Sequence, residues 1–128
     1  RVQFSIDFRC PDDDVREALG SQIAGLCKAL AGPCQVNVNE IQRSNTVPFD
    51  KGVMDMIRRA ANRADAPNMD LLSGAGHDAR NMAALCPAGM VFVPCKDGIS
   101  HNEAESATAS DLAAGARVIA QTVAEMAG

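Results

Sequence analysis

The 128-residue sequence predicts an α/β fold, because strand-like apolar runs alternate with helical stretches along it. Three observations carry this. Val2, Phe4, Ile6 and Phe8 alternate with Gln3, Ser5, Asp7 and Arg9, the period of a strand with one buried face. Gly89 to Val93 is an unbroken apolar run bounded by Pro94, as expected for a strand covered on both faces. Apolar residues three and four apart then mark helices from Val53 to Ala64 and from Leu112 to Met126.

The elements follow in chain order. After the first strand, Cys10-Pro11 ends the pairing pattern, and Asp12, Asp13 and Asp14 place cap candidates and negative charge at a helix N-terminus. Val15, Leu19, Ile23, Leu26 and Leu30 predict that helix's apolar face, and Gly32-Pro33 stops it. Cys34, Val36 and Val38 alternate like a second strand. The polar stretch from Ser44 to Asp50, with Pro48, marks a boundary, giving units 1–47 and 48–128. Val53, Met54, Ile57, Ala60, Ala61 and Ala64 resume helical spacing before Pro67. Met69 to Leu72 reads as a strand entering the loop Ser73-Gly74-Ala75-Gly76. Asp78 to Leu85 fits a short helix closed by Cys86-Pro87. The last helix starts near Thr108, where Thr108 and Asp111 have capping-box spacing, with Leu112, Ala116, Ile119, Val123 and Met126 as its apolar stripe.

Composition narrows the function. Sixteen acidic against twelve basic residues give a net charge of −4, and no Lys/Arg cluster could neutralise several phosphates, so nucleic acid is excluded as a partner. No apolar run approaches the ~20 residues needed to span a bilayer, which predicts a cytoplasmic protein without membrane contact. The five cysteines are odd in number and form no C-x-x-C pair, and are read as reduced thiols, mostly small core residues. The opening on strand-like residues without Met, and a core short of large side chains, predict a piece of a larger protein.

Few residues can carry chemistry. The loop Ser73-Gly74-Ala75-Gly76-His77-Asp78 joins a strand to a helix, where backbone N–H groups can receive a ligand. Position 79 is Ala where a dinucleotide fingerprint has its third glycine, and no Gly-Lys-Ser/Thr follows, so both nucleotide readings fail. A structural turn and a ligand loop both remain open. His101, in Gly98-Ile99-Ser100-His101-Asn102-Glu103, is read as a loop histidine or a metal ligand, with Glu103 and Glu105 near enough to orient its imidazole. Arg9 is read as a surface partner of Asp7 or as a fork for a substrate carboxylate. No G-x-S-x-G elbow accompanies Cys95 or Ser100.

Taken together, Gly74-Ala75-Gly76-His77-Asp78-Ala79, Gly89 to Pro94, Gly98-Ile99-Ser100-His101 and the N-terminal Asp7-Phe8-Arg9 follow one another in an order that resembles the end of the metal-dependent hydantoinase/carbamoylase family. That family lies within the dizinc aminoacylase and carboxypeptidase superfamily. The resemblance covers essentially the whole chain. It implies that residues 48–128 are the C-terminal part of a dizinc-peptidase-like catalytic domain, and residues 1–47 half of an α+β, ferredoxin-like lid through which a homodimer forms.

The same resemblance implies roles. His101 matches the family's last metal-binding histidine, Arg9 the lid arginine that grips a substrate carboxylate in the partner subunit's active site, and Gly76 and His77 the loop lining the substrate pocket. Two divalent ions (zinc, manganese, cobalt or nickel) lower the pKa of a bridging water, and a glutamate shuttles its proton to the leaving nitrogen. The implied reaction hydrolyses the carbamoyl or ureido C–N bond of an N-carbamoyl-L-amino acid or allantoate, releasing ammonia and carbon dioxide. The family's His-x-Asp pair, bridging Asp, paired glutamates and further His, and the lid histidine and asparagine, have no counterpart in these residues. No catalytic residue is therefore assigned within the chain, and it is expected to be inactive alone. The alternatives are an aminoacylase or dipeptidase of the same superfamily, or a non-catalytic protein-interaction module.

Overall fold

The computed structural model describes every residue from Arg1 to Gly128. Four helices form: α1 (Asp13–Ala29), α2 (Lys51–Arg63), α3 (Asp78–Ala83) and α4 (Ala109–Ala127), with a 3₁₀ turn at Lys96–Gly98. The chain divides into two units, Arg1–Val47 with Leu72–Ala75, and Pro48–Leu71 with Gly76–Gly128.

Helix starts follow side-chain chemistry. The Asp12 carboxylate accepts the Val15 N–H at 3.0 Å, and Asp13 and Asp14 occupy the first turn of α1. Asp50 caps α2 in the same way through Val53 N–H at 2.9 Å. Thr108 caps α4 by accepting the Asp111 N–H at 3.2 Å, while its hydroxyl donates to the Asp111 carboxylate at 2.6 Å. The three bonds from Val15, Val53 and Asp111 N–H each satisfy a backbone donor that the helix itself leaves open.

The α/β expectation is corrected: no strand forms. A strand exists only through a neighbour's backbone groups, and no backbone hydrogen bond joins residues 2–9, 35–38, 69–72 or 89–93 to another segment. Val2, Phe4 and Ile6 accordingly stand 86%, 76% and 55% exposed. Only Phe8 finds a local surface, lying against α1 where a Cβ on Gly20 would meet its ring at 3.4 Å.

Two helix faces also need correction. On α1 the half-buried positions are Asp13, Arg16, Gly20, Ile23, Ala24 and Cys27, while Val15, Leu19, Leu26 and Leu30 are exposed. On α4 the buried positions are Gly115, Val118 and Thr122, and the stripe of Leu112, Ile119, Val123 and Met126 lies open. Small residues permit close approach, and close approach decides which face is covered. The cysteines are not core residues either: Cys34 and Cys86 are exposed, and Cys10, Cys27 and Cys95 half-buried.

In the second unit, Ala60 and Ala61 of α2 cluster with Val118 of α4, and Ile57, Ala64, Ala66 and Val91 pack around them. Thr122 satisfies its buried hydroxyl on the Val118 carbonyl at 2.8 Å. Arg59 and Arg63 both reach Glu125, at 2.5 and 2.6 Å, and tie α2 to α4 at the surface. Residues 89–93 lie along this pair with one side inward. A Cβ on Gly89 would meet Val53 Cγ1 at 2.9 Å, Val91 touches the cluster, and Val93 occupies the space a Cβ on Gly115 would need, 2.5 Å away. Phe92 remains half exposed, so the expectation of a run covered on both faces holds on one face only.

Candidate functional site

Arg9 and Asp7, two residues apart, form a two-point pair in the first unit. Arg9 Nη2 donates to Asp7 Oδ2 at 2.6 Å, and Nε reaches both carboxylate oxygens at 3.2 and 3.3 Å. Nη1 donates to the Gly74 carbonyl at 2.6 Å. The hydrogen bonds from Arg9 hold the Asp7 carboxyl below its ordinary range. Both side chains are well exposed, so the pair adds little to stability. The structure thus places Arg9 as a surface partner of Asp7 that also bonds the Gly74 carbonyl.

The glycine loop divides between the units, with Leu72–Ala75 in the first and Gly76 onward in the second. Ser73 Oγ accepts the Ala75 N–H at 3.2 Å. Neither Gly74 nor Gly76 has positive φ, and a Cβ on Gly76 would meet nothing within 4 Å. Turn geometry and packing within the chain thus do not call for glycine at 76. His77 stands at the N-cap position of α3, and its ring stands edge-on to Phe92 with centroids 5.3 Å apart and planes at 63°. That partner is missing from the sequence reading; the signal that could have found it is the even position of Phe92, opposite in period to Val91 and Val93.

His101 occupies a loop closed at its base by Lys96 N–H donating to the Ser106 carbonyl at 2.7 Å. Its φ is +53°, a region that costs a side-chain-bearing residue about 1 kcal/mol or more. Glu105 holds this conformation by accepting the His101 backbone N–H on Oε2 at 2.8 Å, while its Oε1 lies 3.9 Å from Cys95 Sγ. The expectation that a carboxylate orients the imidazole is corrected: Glu105 bonds the backbone from which the ring projects, not the ring itself. Asn102 tightens the same turn through Ala104 N–H at 2.9 Å.

No group of three or more His, Cys, Asp or Glu side chains gathers to hold an ion. A catalytic metal takes about three protein ligands, so His101 fits as a single donor and the chain's own residues do not make a metal centre. Arg9 lies in the first unit, and Gly76, His77 and His101 lie in the second. No helix is long and apolar enough to cross a membrane.

Comparison with known proteins adds the context. The sequence profile of peptidase family M20/M25/M40 matches residues 5–125. The chain is 35% identical to an N-carbamoyl-L-amino-acid amidohydrolase of Rhizobium meliloti, over 99% of this chain and 31% of that protein. It is 33% identical to an allantoate amidohydrolase of Bacillus subtilis (strain 168), over 93% of this chain and 29% of that protein. The crystal structure of a hydantoinase/carbamoylase family amidase from Burkholderia ambifaria matches with a TM-score of 0.78 at 34% identity, over 91% of this chain and 28% of that one. The chain therefore spans 29–31% of the length of these two curated relatives.

Proposed function

Because the chain belongs to peptidase family M20/M25/M40, we propose that it works within a metal-dependent amidohydrolase that cleaves the carbamoyl or ureido C–N bond of an N-carbamoyl-L-amino acid or allantoate, releasing ammonia and carbon dioxide. One observation carries the reading: 35% identity along 99% of the chain to a protein named for such a substrate. Residues 1–47 are part of a lid that pairs two subunits, and residues 48–128 are part of the catalytic domain. Arg9 takes the substrate carboxylate, and Gly76 and His77 line the pocket. His101 gives one imidazole to a pair of divalent ions, zinc, manganese, cobalt or nickel, whose other ligands come from the rest of the whole protein. A cytoplasmic setting, with the five cysteines as thiols, belongs to the same reading.

Local geometry supports these roles. Arg9 is held before any ligand arrives. Gly76 is open where packing asks for nothing. His101 sits in a strained backbone conformation secured by Glu105, and such strain gathers at functional sites.

The test uses the whole protein, stripped with chelator and restored with each metal, and reads ammonia release from N-carbamoyl amino acids and allantoate. His101→Ala is expected to lower kcat/KM by more than about 100-fold, since losing a mere outer partner of a ligand costs about 10- to 100-fold, and to lower bound metal. Full activity and metal content in His101→Ala would refute the ligand role. Amine release from N-acyl amino acids or dipeptides, in place of ammonia, would move the protein to the aminoacylase or dipeptidase alternative. Turnover of neither class would leave the interaction module.

A further inference from the structure

We propose that Asp7 and the Gly74 carbonyl are positioning groups for Arg9, which commit three of its five N–H hydrogens and leave one on each terminal nitrogen for the two oxygens of a single carboxylate. The inference rests on the reading that Arg9 binds substrate carboxylate, and it adds how the guanidinium is aimed and what it selects.

A guanidinium carries one hydrogen on Nε and two on each Nη. Asp7 takes the Nε hydrogen and one from Nη2, and the Gly74 carbonyl takes one from Nη1. What remains is one donor on each of two nitrogens bonded to the same carbon, a spacing that matches a carboxylate. An unanchored arginine surrenders its rotamer freedom when it binds. Here that loss is met beforehand, by two anchors far apart in the sequence, Asp7 and Gly74.

Stability gives little reason for the arrangement. The side chains of Arg9 and Asp7 are 60% and 66% exposed, and exposed pairs hold folds together weakly. Charge gives little reason either, because Asp7 cancels the charge that would draw an anion. The site then recognises shape: a planar, two-oxygen acceptor satisfies both hydrogens, whereas a carboxamide offers one acceptor and sets an N–H donor against the other.

The experiment compares an N-carbamoyl-L-amino acid with its carboxamide as substrates of the whole protein. Asp7→Ala should raise KM for the acid about three- to tenfold, the loss expected when one long side chain must be immobilised during binding. It should leave kcat within about twofold and KM for the carboxamide unchanged. Asp7→Glu, which keeps both acceptor oxygens one methylene further out, should fall between Asp7→Ala and wild type. An unchanged KM for the acid in Asp7→Ala, or equal changes for acid and carboxamide, would overturn the proposal. Arg9→Ala separates the two levels. If it raises KM for the acid while Asp7→Ala does not, the positioning role alone fails; if it also leaves KM unchanged, the carboxylate role of Arg9 fails with it.

Discussion

In residues 48–71 and 76–128, two helices meet through small side chains, with Ala60, Ala61 and Val118 buried and residues 89–93 laid against them. In residues 1–47 and 72–75, α1 has no buried residue. There the ties are polar: Arg16 to Asp13 at 2.5 Å, Asp13 to the Thr46 N–H at 2.9 Å, and Arg43 to Glu17 and Glu40. The difference is one of magnitude. Burying a Val side chain contributes about 1.5–3 kcal/mol, whereas an exposed ion pair contributes about 0–1 kcal/mol. One unit is held by what it excludes from water, the other by caps and surface pairs that water screens.

Native-state hydrogen exchange reads the units separately, and three changes should sharpen the contrast. The largest effect is expected from Ala60→Leu, at a position with no exposed surface. Overpacking there should lower the protection of α2 and α4 amides by about 3 kcal/mol and leave α1 untouched; an equal loss in α1 would deny the separation. Asp12→Ala removes the α1 cap and should cost about 1 kcal/mol, confined to α1 amides. The smallest effect concerns pH. Arg59 first, then Arg63, lowers the Glu125 carboxyl below its ordinary value of 4.5. A depressed carboxylate stabilises the fold above that value and loses its contribution as pH falls through the folded one. Glu125→Gln should therefore weaken α4 protection slightly at neutral pH, and the difference from wild type should close below pH 4.5; a difference that persists in acid would assign Glu125 a role other than charge.

The same contrast explains what the sequence could disclose. Helix starts were legible, because Asp12 and Thr108 act on backbone groups three residues away. The packing face of α2 was legible too, with Val53, Ala60 and Ala61 buried. The faces of α1 and α4 were not, because counting large apolar residues finds leucines while the contact is made where Gly20 and Gly115 admit a neighbour. Strand patterns misled for a related reason: alternation describes one segment, and a ladder needs two. At the candidate site, residue types could be named, and the Glu105 carboxylate on the His101 backbone lies only four residues away, yet the Gly74 carbonyl beneath Arg9 is a tertiary fact that no local spacing encodes.

Residues 89–93 show how such a constraint propagates. Positions 89, 91 and 93 meet the helices, while Phe92 turns to His77. Adding one residue just before Gly89 would exchange odd for even and push the Phe92 ring toward the notch at Gly115 that holds the Val93 methyl. The stretch is therefore sensitive to parity more than to chemistry: a conservative exchange on its outer side can be absorbed locally, whereas a change of length rewrites both sides at once and detaches His77 from its aromatic neighbour.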